Sequence, residues 1–315
     1  MNVKKWLIIF FITIIFFCIS YPLHKILYID GRLLKNHSGD IIYFADSILK
    51  SHSKCENKIL GIDDIVRNNG LNIKNINQGA YSPIVYQNYI KNIKKQSTVI
   101  IPINMRSFSE EWFNKPSYQF FNKRMASSIL AMDFISLYQL FIESFKYDKQ
   151  IYNDTDIIRN GNDLGTIYSI AYSTKINEDL YCNDKTFYTN DKYIKKLLIK
   201  YKYHYMYKLT LNHKMFKYLK NIISFSRENN INLLFYITPI NFEYGEIIVD
   251  KNFNIIVNNN INTLIKFFKD NNALYLDLSK KVDGKNFNDH QYVCEHLDYT
   301  GREIVASNIY NYFNR

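Results

Sequence analysis

The stretch Ile41-Ile42-Tyr43-Phe44-Ala45-Asp46-Ser47-Ile48-Leu49 decides how the rest of the chain reads. Residues 41–44 are a short apolar run closed by a turn signal at Asp46-Ser47, the pattern of a strand buried on both faces that leads into a helix. Strand ends in open α/β sheets project side chains into the crevice where ligands bind. A serine placed there is a nucleophile only where a base and an oxyanion site converge on it. Taken alone, the turn reads as a helix cap, because Asp and Ser both accept hydrogen bonds from the first backbone N–H groups of a helix.

Working outward, a helix is expected from about residue 59 to Asn69-Gly70, followed by a strand over 71–77, whose apolar and polar residues alternate. Ser82-Pro83 then opens a helix, since proline suits the first turn. Residues 98–103 (Thr-Val-Ile-Ile-Pro-Ile) make a third buried strand. This strand–helix alternation is the rhythm of a parallel sheet covered on both faces. It breaks after Arg106. Residues 107–207 read as an insertion with a helix over 126–145, forming a cap or one wall of a site. The rhythm resumes with a helix over 209–228, a strand over 233–237, a helix over 257–269, a strand over 273–278 and a helix over 300–313. The expected fold is one three-layer α/β/α domain over 39–315 with a central parallel sheet.

Hydrophobic residues are 47% of the 315, and 27 Tyr stand against 5 Pro and 10 Gly, so the chain is not of disordered composition. The net charge of +11 comes from lysines spread along helix-like segments. No nucleic-acid module is visible, so a basic face near anionic lipid or polymer is expected and nucleic acid is not. Cys18 falls in the N-terminal apolar run. Cys55, Cys182 and Cys294 have no metal-ligand spacing; buried thiols are expected, with a Cys55–Cys294 bridge as the alternative. His24, His37, His52, His204, His213 and His290 show no metal spacing either, so no metal or cofactor is expected.

Residues 6–23 (WLIIFFITIIFFCISYPL) carry no charged side chain and follow Lys4-Lys5. About 18 helical residues span roughly 27 Å, enough for a bilayer core. No small-x-small cleavage site follows, so an uncleaved signal anchor over 1–23 is expected, with 24–38 as a polar connector. Lys25, Arg32 and Lys35 on the far side leave the charge balance undecided. The short N-terminal tail places the large domain outside the cytoplasm.

Ser47, Gly79, Asn104 and His296 each fall after an expected strand, or in the loop before the last helix. Parallel strands present their C-terminal ends on one edge, which brings such positions together. Ser47 would attack, and His296 would take its proton and return it to the leaving group. The backbone N–H groups of Ser47 and Gly79, with the Asn104 amide, would hold the oxyanion. Arg106, as a carboxylate or phosphate binder or a surface ion pair, and Asn241 lie on the same expected edge.

This ordered set resembles the SGNH, or GDSL-type, hydrolase family. Ala45-Asp46-Ser47 corresponds to its Gly-Asp-Ser block, Gly79 in Asn77-Gln78-Gly79 to its second-block glycine, and Pro102-Ile103-Asn104-Met105 to its Gly-x-Asn-Asp block, of which only the asparagine is kept. Val293-Cys294-Glu295-His296, followed by Leu297 and Gly301, matches its last. The resemblance covers roughly 39–106 and 209–315. It implies ester hydrolysis or acyl transfer through an acyl-serine, on O-acyl groups of cell-surface carbohydrate, with an acyl donor or a membrane acyltransferase as partner. The chain departs where the family has an acid three residues before the histidine, because Val293 stands there. Asp289 or Glu295 would orient the imidazole instead, or a Ser–His dyad would act without one. Asp289 is preferred, since a neighbour of His296 in extended backbone points elsewhere. A catalytically weak polysaccharide-binding module of an envelope assembly, or a lipid esterase, are the alternatives.

Overall fold

The computed structural model describes residues 24–36, 41–50, 52, 56–77, 82–109, 120–146, 201, 202, 204–287 and 295–314. In chain order these form a π-turn (Lys25–Asp30), α1 (Gly31–Asn36), β1 (Ile41–Ala45), α2 (Ile62–Asn68), β2 (Ile73–Asn77), α3 (Pro83–Ile90) and β3 (Thr98–Ile103). There follow α4 (Phe120–Leu130), α5 (Phe134–Lys146), α6 (Lys214–Glu228), β4 (Asn232–Ile237), α7 (Phe242–Ile248), α8 (Lys251–Asp270), β5 (Leu274–Asp277) and α9 (Tyr299–Phe313). The anchor over 6–23 and all four cysteines lie outside the described residues. No helix among the described residues is long and apolar enough to cross a membrane.

The five strands make one sheet, ordered β2-β1-β3-β4-β5, and every pair is parallel. Alternate residues of a strand face opposite ways. Ile42 and Phe44 therefore join one apolar layer and Tyr43 and Ala45 the other. On the first face pack Val85 of α3, Leu219 of α6 and Leu264 of α8. On the second pack Val66 of α2 and Val305 of α9. Both faces being dry is why these strands read as unbroken apolar runs rather than alternating ones. The architecture is helix, sheet, helix.

Pairing of β1 with β3 stops at Tyr43↔Ile100, whereas β3 stays paired with β4 through Ile103↔Ile237. Just past that separation β3 carries Pro102, which has no N–H to give to a ladder. In the order 2-1-3-4-5, the gap between β1 and β3 is the topological switch point, where the chain changes direction across the sheet and a crevice opens.

Three expectations need correction. Within the expected connector over 24–38, the described residues 24–36 are helical and packed on the domain. The π-turn and α1 bury Ile26, Asp30 and Leu34, and the Tyr89 hydroxyl donates to Asp30 at 2.8 Å. Among the described residues, β1 is followed not by a full helix but by a single 3-10 turn, Ser47–Leu49, which ends at Lys50. The stretch after β4 holds two helices rather than one. Asparagines at 252, 254, 258, 259 and 260 mask the periodicity of Phe253, Val257, Ile261 and Leu264 that buries α8.

Candidate active site

At the ends of β1 and β3 the chain uses the same local device. Asp46 Oδ1 accepts from the Ile48 N–H at 2.9 Å, and Asn104 Oδ1 accepts from the Arg106 N–H at 2.9 Å. Each side chain caps a single 3-10 turn, Ser47–Leu49 and Met105–Phe108. In the first turn Ile48 and Leu49 are buried in the core, which pins Ser47 at the rim, half-buried. The cap is Asp46, which leaves the Ser47 hydroxyl uncommitted to the backbone role. In the second turn the carbonyl oxygen of Asn104 is spent on the cap, while its buried amide lies toward the Glu295 carboxylate.

His296 reaches this edge from the other end of the chain. Its Nε2 lies 3.3 Å from Ser47 Oγ, across 249 residues of sequence. The residues on either side of it are clamped. Glu295, fully buried, accepts from the Tyr205 hydroxyl at 2.6 Å and meets Arg106 Nη2 at 2.9 Å. Burial pushes the Glu295 carboxyl above its ordinary range, against the opposing pull of Arg106, Tyr205 and the nearby Asn104 amide. Tyr207 donates to the Met105 carbonyl at 2.6 Å, and burial next to Glu295 raises its phenol as well.

Leu297 pairs with Phe287 as an antiparallel bridge, and its carbonyl accepts from Arg302 Nη1 at 2.6 Å. Arg302 is fully buried and also binds the Leu60 carbonyl at 2.8 Å, the Lys58 carbonyl at 3.0 Å and the Glu56 carboxylate. One guanidinium thus ties the strand before α9 to the segment that follows the Ser47 turn. Asp298 caps α9 through the Gly301 N–H at 2.7 Å. A Cβ at Gly301 would stand 2.8 Å from the Asn286 carbonyl oxygen, so only glycine lets α9 approach this closely.

The structure brings Ser47, Asn104 and His296 to one edge, and Gly79 and Asp289 lie outside the described residues. Glu295 does not take the orienting role considered for it: among the described residues its carboxylate is bonded by Tyr205 and Arg106, not by the imidazole. Arg106 is buried in that pair rather than presented to a ligand, because a desolvated guanidinium needs its counter-charge. Asn241 is likewise committed. Its Oδ1 caps α7 through the Tyr244 N–H at 2.9 Å and its Nδ2 donates to the Gly284 carbonyl at 3.0 Å. Beside it, an open cleft of about 270 Å³ is lined by Phe242, Glu243, Lys280 and Asp283, and includes neither Ser47 nor His296.

Sequence reasoning missed Arg302 and Tyr205. A usable signal existed for the first: a cation in the opening turn of a helix opposes the helix dipole, so it needs acceptors of its own. Compared with known proteins, the chain matches no protein-family model and no curated protein.

Proposed function

We propose that this chain is an SGNH-type serine esterase or acyltransferase, anchored in a membrane through residues 6–23, whose domain outside the cytoplasm acts on O-acyl groups of cell-surface carbohydrate. The observation that carries the chemistry is the 3.3 Å approach of Ser47 Oγ to His296 Nε2 at the switch point between β1 and β3. The carbohydrate and the membrane setting rest on the family resemblance and on the apolar N-terminal run.

In this reading His296 holds its proton on Nδ1, so that Nε2 accepts the Ser47 proton as Oγ bonds to the acyl carbon. The charge that develops on the carbonyl oxygen is met by the backbone N–H groups of Ser47 and Gly79 and by the Asn104 amide, which the Glu295 carboxylate also draws on. As the carbon–oxygen bond to the sugar breaks, the imidazolium returns the proton to the leaving hydroxyl. Water, or a second sugar hydroxyl, then attacks the acyl-serine with the same base. Water gives hydrolysis and a hydroxyl gives transfer; a membrane acyltransferase is the partner the transfer route calls for. Asp289 remains the orienting acid in this scheme, and the dyad is its alternative. Val293, in place of the usual acid, favours the second reading, a catalytically weak polysaccharide-binding module.

Acetate release from an O-acetylated polysaccharide by the detergent-purified full chain tests the proposal. The wild type is expected to release acetate, and Ser47→Ala and His296→Ala to lose on the order of 10⁴-fold or more in kcat. Equal rates for the three proteins would overturn the enzyme reading.

A further inference from the structure

The apolar side chains left outside the core are not scattered. Met132, Phe134, Ile135, Tyr138 and Phe141 are 79%, 71%, 73%, 65% and 57% exposed, and all belong to α5 or the turn that enters it. Positions 134, 135, 138 and 141 recur at helical spacing and form one stripe along α5. Ile129 at the end of α4 adds to it, as do Leu27, Tyr28 and Ile29 on the π-turn. Elsewhere among the described residues, large exposed apolar residues occur singly or as the pair Ile59 and Leu60. Such a contiguous exposed patch marks a surface with a function.

The hairpin is held with this stripe outward by polar contacts on its other sides. Asn88 of α3 donates to Ser127 at 3.1 Å and Ser128 at 3.3 Å on α4. Lys91 pairs with Asp133 at 2.9 Å, and Asp133 in turn caps α5 through the Ser136 N–H. Met132 takes φ +53°, which sharpens the turn between the two helices. The π-turn packs against α4, and at Gly31, which opens α1, a Cβ would come within 2.9 Å of Leu130 Cδ1.

That packing sets a distance. The apolar run ends at Leu23, and Ile26 is already fully buried in the domain. Three residues of chain span at most roughly 11 Å. A domain tethered so closely has little linker with which to stand off, which brings the π-turn, and α4 packed on it, close to the bilayer that the anchor reading gives residues 6–23. Arg32 and Lys35, exposed on α1, place positive charge at the same rim, where anionic headgroups lie. Tyr28, Phe134 and Tyr138 are of the aromatic types that favour the headgroup boundary.

We infer that the exposed stripe of α5, with the Met132 turn and the π-turn beside it, docks into the headgroup region of the bilayer and lays the domain on the membrane surface. This rests on the anchor reading of residues 6–23 and is independent of the chemistry at Ser47. The helix lies in the interface with its apolar side down, as amphipathic helices of peripheral proteins do. The proposed nucleophile is then held at one fixed height above the membrane.

The test uses the full chain in nanodiscs of zwitterionic and anionic phospholipid. A small fluorescent amino acid replaces Tyr138 in one protein and Ile255 in another; Ile255, 57% exposed on α8, is the control. Both sites are solvent-facing, so neither change disturbs the core. With lipids carrying a shallow nitroxide, emission from position 138 is expected to be quenched several-fold more than from position 255, in wild type and in Ser47→Ala alike. Equal quenching, or a photo-crosslinker at 138 that captures only protein, whether another segment of this chain or a partner, would overturn the docking. Alkaline carbonate extraction separates the two premises. A chain released by carbonate defeats the anchor and the docking together, whereas a retained chain with an unquenched probe defeats the docking alone.

Discussion

The sheet edge around Ser47 and the α4–α5 hairpin break the same rule in opposite directions. At the edge, charged and polar groups are buried: Glu295 and Arg302 are fully enclosed and Arg106 nearly so. On the hairpin, apolar groups are exposed. Proteins ordinarily place these classes the other way round, and the exceptions carry information. The edge keeps its buried charges by pairing each one, Glu295 with Arg106 and Tyr205, and Arg302 with Glu56 and three carbonyls. The hairpin holds its apolar stripe outward with polar contacts behind it. One region is built to be rigid, and the other to meet something less polar than water.

If rigidity at the edge serves to fix His296, the largest effect should come from whatever orients its ring. Asp289→Asn is expected to lower kcat by about 10⁴-fold with little change in fold, measured by acetate release and circular dichroism. An unchanged kcat would convert the triad to a dyad and leave the comparison standing.

Breaking the clamp should be felt next, as stability. Arg106→Met leaves Glu295 buried without its counter-charge and is expected to cost about 3–5 kcal/mol in denaturant unfolding, as is Glu295→Gln for the mirror reason. The double substitution should cost less than either. Additive costs would mean that the two groups do not act as a pair. Glu295 also gives a signed pH effect. Its folded-state pKa is raised, so the folded chain binds that proton more tightly than the unfolded one. The resulting stability is full below the ordinary value of 4.5 and is lost as pH rises through the raised value. Glu295→Gln should flatten that slope.

The smallest effect tests whether buried polar groups here matter only as pairs. The hydroxyls of Tyr43 and Tyr236 bond each other in the dry layer beneath the site, and burial raises both phenols. Tyr43→Phe strands one hydroxyl and is expected to cost about 1–3 kcal/mol, while changing both to Phe should cost less.

The fold was largely legible because burial on both faces leaves a plain mark, the unbroken apolar runs at 41–44 and 98–103. The meeting of Ser47 with His296 was legible from topology, since parallel strands present their ends on one edge. The clamps were not. Nothing local distinguishes Arg106 from a surface arginine, and the place of Arg302 in the opening turn of α9 says that it needs acceptors without saying which, because they lie far away in sequence, such as Glu56 across 246 residues. Arg106 and Asn241 were read as facing a ligand because strand-end position was visible, whereas the partners that occupy them were not. The helical character of residues 24–36 was hidden for a similar reason. Ile26 and Leu34 are apolar because they join the apolar layer to which α3 and α4 also contribute, and a contact with elements so far along the chain leaves no periodic trace in so short a stretch.

Everything proposed about chemistry depends on Ser47 being a nucleophile activated by His296. Intact mass of the full chain after exposure to a fluorophosphonate measures that directly. One adduct on wild-type protein, absent from Ser47→Ala and strongly slowed in His296→Ala, is the expected result. An adduct that forms equally on all three, or on none of them, would contradict it.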